Sequence, residues 1–203
     1  MKSEELSSIA NFLFEVGTMR KLLRMHRQTL LTDDLSDNIS SHSYRVAIIA
    51  WILAYQEKVD PSKVLMMALL HDLKEVRSGD HNWVHKKYVK IFEDEITEDQ
   101  LGPLPHGELK EMVAEYEKRE SKESHVVKDA DLLDEMLLLR EYEWQGNHEA
   151  RKWLHDKKGQ ESPYGDNMQL KMLKTESAKE LGKIILEACP SDWWENVWTP
   201  KNR

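Results

Sequence analysis

Cysteine is nearly absent: Cys189 is the single one in a chain of 203 residues. That excludes an intramolecular disulfide and any thiolate metal cluster. Glycine and proline are also scarce, at eight and six residues, which favours long helices over many turns. There is no basic excess. Lysine and arginine total 29 against 37 acids, for a net charge of −8. Proteins that bind nucleic-acid polymers usually carry the opposite balance, so a polymer partner is not expected. A single nucleotide needs only a few local cations and stays open. No apolar run approaches the roughly 20 residues that cross a bilayer. The segment Met1–Glu15 is charged and amphipathic, without the continuous apolar centre of a secretion signal. The expectation is a cytoplasmic enzyme or binding protein that does not engage a membrane.

What is present reads as helices. Hydrophobic residues make up 40% and charged residues 33% of the chain, as in a soluble globular protein. No alternating pattern of useful length argues for a strand, so the fold class is all-α. Ser3–Met25 reads as one amphipathic helix on Leu6, Ile9, Leu13, Val16 and Leu23. Thr29–Ser40 is polar and reads as a loop, with Ser40 or Ser41 capping the next helix. That helix runs to about Gln56, with Val46, Ile49, Ala50 and Leu53 inward. Asp60-Pro61 opens another, Asp as cap and Pro at the first position. It carries the stripe Leu65, Ala68, Leu69, Leu73 and runs on to Glu75. His81–Phe92 is ambiguous between helix and loop. Glu108–Glu120, Ser124–Trp144 and Met168–Ala188 complete the set, the last after a loop at Pro163-Tyr164-Gly165. No linker or repeat divides the chain. A single domain over 1–203 is expected, with a core at about 19–146 and a helical C-terminal extension at about 147–203. Trp193, Trp194 and Trp198 crowd the tail. Three indoles so close together are costly to leave in water, so they pack back on the body or lie in a homodimer interface.

The chain is organised around VLMMALLHDLKEVRSGD, Val64–Asp80. His71 and Asp72 continue an apolar helical run, and both need partners once dehydrated. The dipeptide alone is common, and alone it reads as a satisfied core histidine beside a surface aspartate. Company elsewhere changes the weighing. His42 lies near the start of one apolar helix and Asp131 in the most apolar part of another. Two imidazoles and two carboxylates on three helices suit one divalent ion, such as Mn, Co, Fe, Ni, Zn or Mg, with positions left open for water and substrate. Glu75, one turn beyond His71, shares its face.

In order, H…HD…D, these residues resemble the signature of the HD-domain metal-dependent phosphohydrolases, and most closely the 5′-deoxynucleotidase-like branch. The resemblance rests on His42-Ser43 with Arg45-Val46-Ala47, on Ala68-Leu69-Leu70-His71-Asp72 with Glu75, on Gly79-Asp80, and on Val127-Lys128 with Ala130-Asp131. It spans roughly Met19–Asp134. It implies an all-α bundle with His42, His71, Asp72 and Asp131 as metal ligands and with Glu75 and Asp80 near the reacting phosphate. Arg24 stands where the branch carries an arginine for the substrate phosphate. Differences fall in the pocket: Met25-His26 replaces a Gly-Trp step, Ser41 replaces an acid, and His81-Asn82-Trp83-Val84-His85 replaces a Pro-rich stretch.

The expected substrate is then a phosphate monoester of a small molecule, above all a (deoxy)nucleoside 5′-monophosphate. Glu75 would orient or deprotonate the attacking water. Asp80 would protonate the leaving oxygen. Arg24, with Lys128 as second choice, would hold the phosphate. Two other readings stay open at this level. A di-iron oxygenase needs two further histidines, and His81, His85, His106 and His125 are available. A regulatory, non-catalytic HD protein would bind a nucleotide without turnover.

Overall fold

The computed structural model describes residues 2–155, 167–195 and 197. Its helices are α1 (Ser3–Val16), α2 (His26–Leu30), α3 (Ile39–Glu57), α4 (Pro61–Leu70), α5 (Glu75–Ser78), α6 (Trp83–Tyr88), α7 (Glu93–Leu101), α8 (Gly107–Lys118), α9 (Lys122–Trp144), α10 (His148–Leu154), α11 (Met168–Met172), α12 (Glu176–Glu187) and α13 (Asp192–Glu195). Among the described residues there is no strand, only an isolated antiparallel bridge between Leu23 and Asn38. None of the described helices is long and apolar enough to cross a membrane. The all-α expectation holds.

The long helix α9 is the axis. It packs against α3, α4, α8, α10, α11 and α12. Val127, Ala130, Leu133, Met136 and Leu139 are its buried stripe, joined in one core by Val46, Ala50 and Leu53 of α3 and by Val64, Met67 and Ala68 of α4. Each fully buried Leu or Val contributes about 1.5–3 kcal/mol relative to exposure. A smaller second core (Met19, Ile39, Leu70, Leu73, Leu101, Leu104 and Val113) ties the N-terminal segment to α7 and α8.

Local signals set the ends of the helices that matter for the site. The Asn38 side chain accepts the Ser41 N–H, while the Ser41 hydroxyl lies against the Asn38 N–H. This reciprocal cap starts α3 at Ile39, and places the cap at Asn38 instead of Ser40 or Ser41. Asp60 accepts from Ser62 and Lys63, with Pro61 first in α4.

Several expected elements are interrupted. The helix read over Ser3–Met25 stops at Val16, turns through a 3₁₀ segment at Gly17–Lys21 and yields to an extended step. The Leu23–Asn38 bridge explains why: Ile39 N–H reaches the Leu22 carbonyl and Arg24 N–H the Asp37 carbonyl. The inward face of α1 is Ile9, Phe12 and Val16, and Leu6 and Leu13 point to water. Thr29 and Leu30 end the short helix α2 and are not loop.

The helix from Asp60 ends at Leu70, before the His-Asp pair, and His71–Lys74 form a tightened turn. There Leu73, Glu75, Val76 and Arg77 each bond the carbonyl three residues back. The inward stripe of α4 is Val64, Met67 and Ala68, with Leu69 exposed and Leu65 partly covered.

Met168–Ala188 breaks at Leu173–Thr175 because Asp129 captures that backbone. The Asp129 carboxylate accepts from Lys174 N, Thr175 N and the Thr175 hydroxyl, at 2.7 to 3.1 Å. In this way it caps α12 from outside its own helix. Trp193 and Trp194 are exposed and form a T-shaped pair with ring centroids 4.9 Å apart. Trp198 and the Pro163-Tyr164-Gly165 loop lie outside the described residues.

Candidate metal centre

Three elements bring His42, His71, Asp72 and Asp131 to one point. His42 extends from the first turns of α3, His71 and Asp72 from the turn that ends α4, and Asp131 from the middle of α9. The Nε2 atoms of the two histidines face each other at 3.2 Å. Asp72 Oδ2 lies 3.3 Å from His42 Nε2 and 3.2 Å from His71 Nε2. Asp131 Oδ1 lies 3.4 Å from His42 Nε2. His42, His71 and Asp72 each offer a ligand atom within 4.8 Å of the others. Both imidazoles are buried, and both carboxylates are partly open toward a cleft.

The other ring nitrogens decide what the facing ones do. His71 Nδ1 lies 2.7 Å from the Ala68 carbonyl, which can only accept. His42 Nδ1 lies 2.6 Å from Asp134 Oδ2. Each Nδ1 therefore carries a proton, and in the neutral rings each Nε2 presents a lone pair. Two nitrogen lone pairs and two carboxylates then converge with no donor among them. A divalent cation resolves that convergence, and the donor set is one that such an ion accepts. Burial and Arg24 alone would lower the His42 pKa, yet Asp131, Asp134 and Asp72 hold it well above its ordinary value. The centre thus attracts positive charge, and a cation competes there with a proton. Burial by itself would raise the carboxyls of Asp72 and Asp131. The facing imidazoles, and Lys128 beside Asp131, keep both well below the usual carboxylate range.

Asp134, one turn beyond Asp131, is the residue that sequence reasoning missed. It is buried, and its carboxylate accepts from His42 Nδ1, from Arg45 Nε and from Arg24 Nη1 at 3.4 Å. The three-residue spacing from Asp131 on an apolar helix was the available signal. Arg45 continues to Glu141.

The cleft beside the centre has a volume of about 150 Å³ and is bordered by Arg24, Glu75, Asp80, Lys128, Glu135 and Gln169 among others. All four remaining predicted site residues therefore line it. The buried Arg24 guanidinium is held between Asp134 and His26, whose Nε2 takes its Nη2 at 3.1 Å. Asp80 follows Gly79, whose φ of +78° suits glycine. That turn carries the Asp80 carboxylate to the Met25 N–H. Lys128 Nζ sits 2.7 Å from Asp131 Oδ2, so its first partner is a carboxylate of the centre. Glu75 is half-buried overall, but its Oε2 is sealed and has no hydrogen-bond partner. Burial, then Asp72 and Asp80, push its pKa up to about 10.

Of the four spare histidines, His81 borders the cleft with His85 edge-on to it. His125 gives its ring to the Arg119 carbonyl.

Known proteins resemble this chain in sequence and fold. The HD-domain family pattern matches residues 19–172. A 5′-deoxynucleotidase of Photorhabdus laumondii is 28% identical over 170 residues, covering 72% of this chain and 85% of that protein. A 5′-deoxynucleotidase of Dictyostelium discoideum is 32% identical over 126 residues, covering 55% and 66%. The crystal structure of a Pyrococcus horikoshii protein superposes with a TM-score of 0.67 at 25% identity, covering 88% of this chain and 98% of that one. A predicted metal-dependent phosphohydrolase of Magnetospirillum magnetotacticum shares the fold, with a TM-score of 0.66 at 22% identity over 91% and 92%.

Proposed function

The chain belongs to the HD-domain family, and on that premise we propose that it is a metal-dependent phosphohydrolase acting on a nucleoside 5′-monophosphate. The observation that carries the reading is the meeting of His42, His71, Asp72 and Asp131 from three elements, on the wall of a cleft that also holds Arg24, Glu75 and Asp80. The names of the relatives supply the substrate class, a deoxynucleotide.

The four residues would hold one divalent ion among Mn, Co, Fe, Ni, Zn and Mg. Such an ion supplies a Lewis acid and a bound water of lowered pKa. The chain supplies the rest. His42 and His71 are fixed in tautomer and orientation by Asp134 and the Ala68 carbonyl. Arg24 brings a permanent cation to the cleft wall, where a phosphate dianion needs one. Glu75 is the candidate base. Neutralising Asp72 removes one of the repulsions that raise the Glu75 pKa, which returns it toward a carboxylate able to take a proton from water. Asp80 lies on the same wall, and Lys128 neutralises Asp131 and sits within the cleft. The net charge of −8 disfavours a nucleic-acid polymer.

The test is phosphate release from the common ribo- and deoxyribonucleoside 5′-monophosphates, with Mn, Co, Zn, Ni, Fe or Mg added after chelation. Release that depends on added metal and disappears in His71→Ala supports the proposal. No release from any nucleotide with any metal removes it.

A further inference from the structure

Gln169 is a fully buried polar side chain with one end unanswered. It lies on α11 between Met168 and Leu170, is 1% exposed, and borders the cleft. Its Nε2 donates to Glu135 Oε1 at 3.4 Å. The carboxylate oxygen is the acceptor in that contact, which assigns the amide its orientation: NH₂ toward Glu135, Oε1 away from it. The Oε1 atom is sealed from solvent and has no hydrogen-bond partner. A buried acceptor left bare is costly, and it calls for a reason.

The segment that carries Gln169 is tied at both ends. Before it, the Asn167 side chain accepts from the Leu170 N–H at 2.7 Å and donates to the Leu154 carbonyl at 3.2 Å. After it, Leu173 is buried and Asp129 holds the backbone of Lys174 and Thr175. A helix of five residues has little stability of its own. These anchors fix where the amide sits, as a binding group requires.

Position along α9 says what the amide meets. Glu135 is four residues past Asp131, on the same face and about 6 Å along the axis. Burial and then Asp131 raise the Glu135 pKa, and the Arg24 charge opposes them, so the three groups share one electrostatic neighbourhood. A phosphate held by Arg24 at the Asp131 end leaves the Glu135 end for the sugar. Met168 and Met172 border the cleft beside the amide and offer a sugar face soft apolar contact. The unanswered atom is an acceptor and its neighbour is a carboxyl. The group they take is a neutral donor, not a second phosphate. Along a nucleoside 5′-monophosphate, the first such donor beyond the ester is the 3′-hydroxyl.

We propose that Gln169, oriented by Glu135, is a specificity-determining residue whose amide oxygen accepts a hydrogen bond from the 3′-hydroxyl of the nucleotide, an inference that rests on the nucleotidase reading above.

The test uses two pairs of substrates that differ only at that hydroxyl. They are the 5′-monophosphates of 2′-deoxyadenosine and thymidine, each against its 3′-deoxy counterpart. Values of kcat and KM are measured for metal-loaded wild type and for Gln169→Met, which keeps length and volume but offers no strong acceptor. Calorimetry gives Kd for the same four nucleotides in the Glu75→Gln background, where turnover is expected to be slow. The wild type should favour the 3′-hydroxyl by about 10-fold in kcat/KM. Gln169→Met should bring that preference to about one, through KM and Kd, while the 3′-deoxy substrates are handled as by the wild type. A merely structural amide would not move the ratio. If Gln169→Met fails to melt cooperatively, Gln169→Leu replaces it. A wild type indifferent to the 3′-hydroxyl overturns the proposal. So does a variant that keeps the preference, or one that changes the ratio between the two bases instead, which would assign the amide to the nucleobase. Hydrolysis with an unchanged 3′-hydroxyl ratio removes this inference alone. Binding without hydrolysis removes the proposed activity, and the Kd ratio then decides the role of Gln169. Absence of binding overturns both.

Discussion

Replacing Asp134 by Asn separates a metal-positioning role from a merely structural one. The substitution keeps size and shape but replaces one oxygen acceptor with an NH₂ donor. In the native chain one carboxylate oxygen takes His42 Nδ1 and Arg24 Nη1, and the other takes Arg45 Nε. Asn cannot serve both sides, so a donor faces a donor in either orientation. The two arginines are affected unequally. Arg45 is about a third exposed and keeps Glu141, so its share is small. Arg24 is buried and is left with the neutral acceptor His26 Nε2. Breaking a buried charge pair by removing one member costs about 3–5 kcal/mol. With a neutral but polar replacement, about 3 kcal/mol is expected for the metal-free protein. For a chain of this size that lowers Tm by roughly 6–12 °C. Losing the group that orients a ligating imidazole typically weakens metal binding by about 10–100-fold. The pH dependence has a definite sign. Burial alone would raise the Asp134 pKa, but His42 and the two arginines lower it. Its stabilisation is therefore present above the unfolded carboxylate range and is lost as pH falls through the lowered value. The Asn variant should lose that acid-side slope. Urea unfolding of chelated protein between pH 3 and 7, with calorimetric metal titration, gives both numbers. A fall in stability with unchanged metal affinity would make Asp134 a strut and refute the positioning role; no change in either would refute the whole argument.

Three further outcomes follow from the same geometry. Glu75→Gln should lower turnover about 10²–10⁴-fold while leaving metal content near that of the wild type, read by steady-state kinetics with metal analysis. The folded pKa of Glu75 is raised to about 10, so above the unfolded carboxylate range the acid costs the metal-free protein stability, increasingly until about pH 10. The Gln variant should therefore melt higher than the wild type in chelator, with a flatter dependence between pH 5 and 9. Asp129→Ala removes the outside cap of α12 and should cost about 1–2 kcal/mol in urea unfolding, with metal affinity unchanged, since Asp129 faces Lys174 and Thr175 and not the centre. Adding a divalent ion at about 100 times its Kd should stabilise the chelated protein by about 2.7 kcal/mol, and the increment should vanish in Asp72→Asn, measured by melting with and without metal.

The meeting of His42, His71, Asp72 and Asp131 was legible in the sequence because each of them breaks an apolar pattern that is itself strong. His42 and Asp131 interrupt stripes that must otherwise be buried, and His71-Asp72 ends one. Periodicity reports such interruptions well. What it reports poorly is where a helix stops for a reason lying elsewhere in the chain. The helix from Asp60 continues in pattern through Leu73, yet it ends at Leu70, and the turn at His71–Lys74 is what presents both His71 and Asp72 to the centre. Met168–Ala188 keeps its period across Leu173, yet Asp129, 45 residues earlier, captures the backbone there. Asp129, Asp131 and Asp134 show the same limit within a single helix. All three are acids in an apolar stretch, and no local rule assigns the cap of α12 to the first, a place at the centre to the second and the clamp on Arg24, His42 and Arg45 to the third. Their phases on α9 differ, and the partners that give each phase its meaning arrive from α12, α3 and the extended step after the 3₁₀ segment. A carboxylate's role here is set by what reaches it across the fold. That is why the four residues of the centre, which meet at one point, can be read together, and the acids beside them only one at a time.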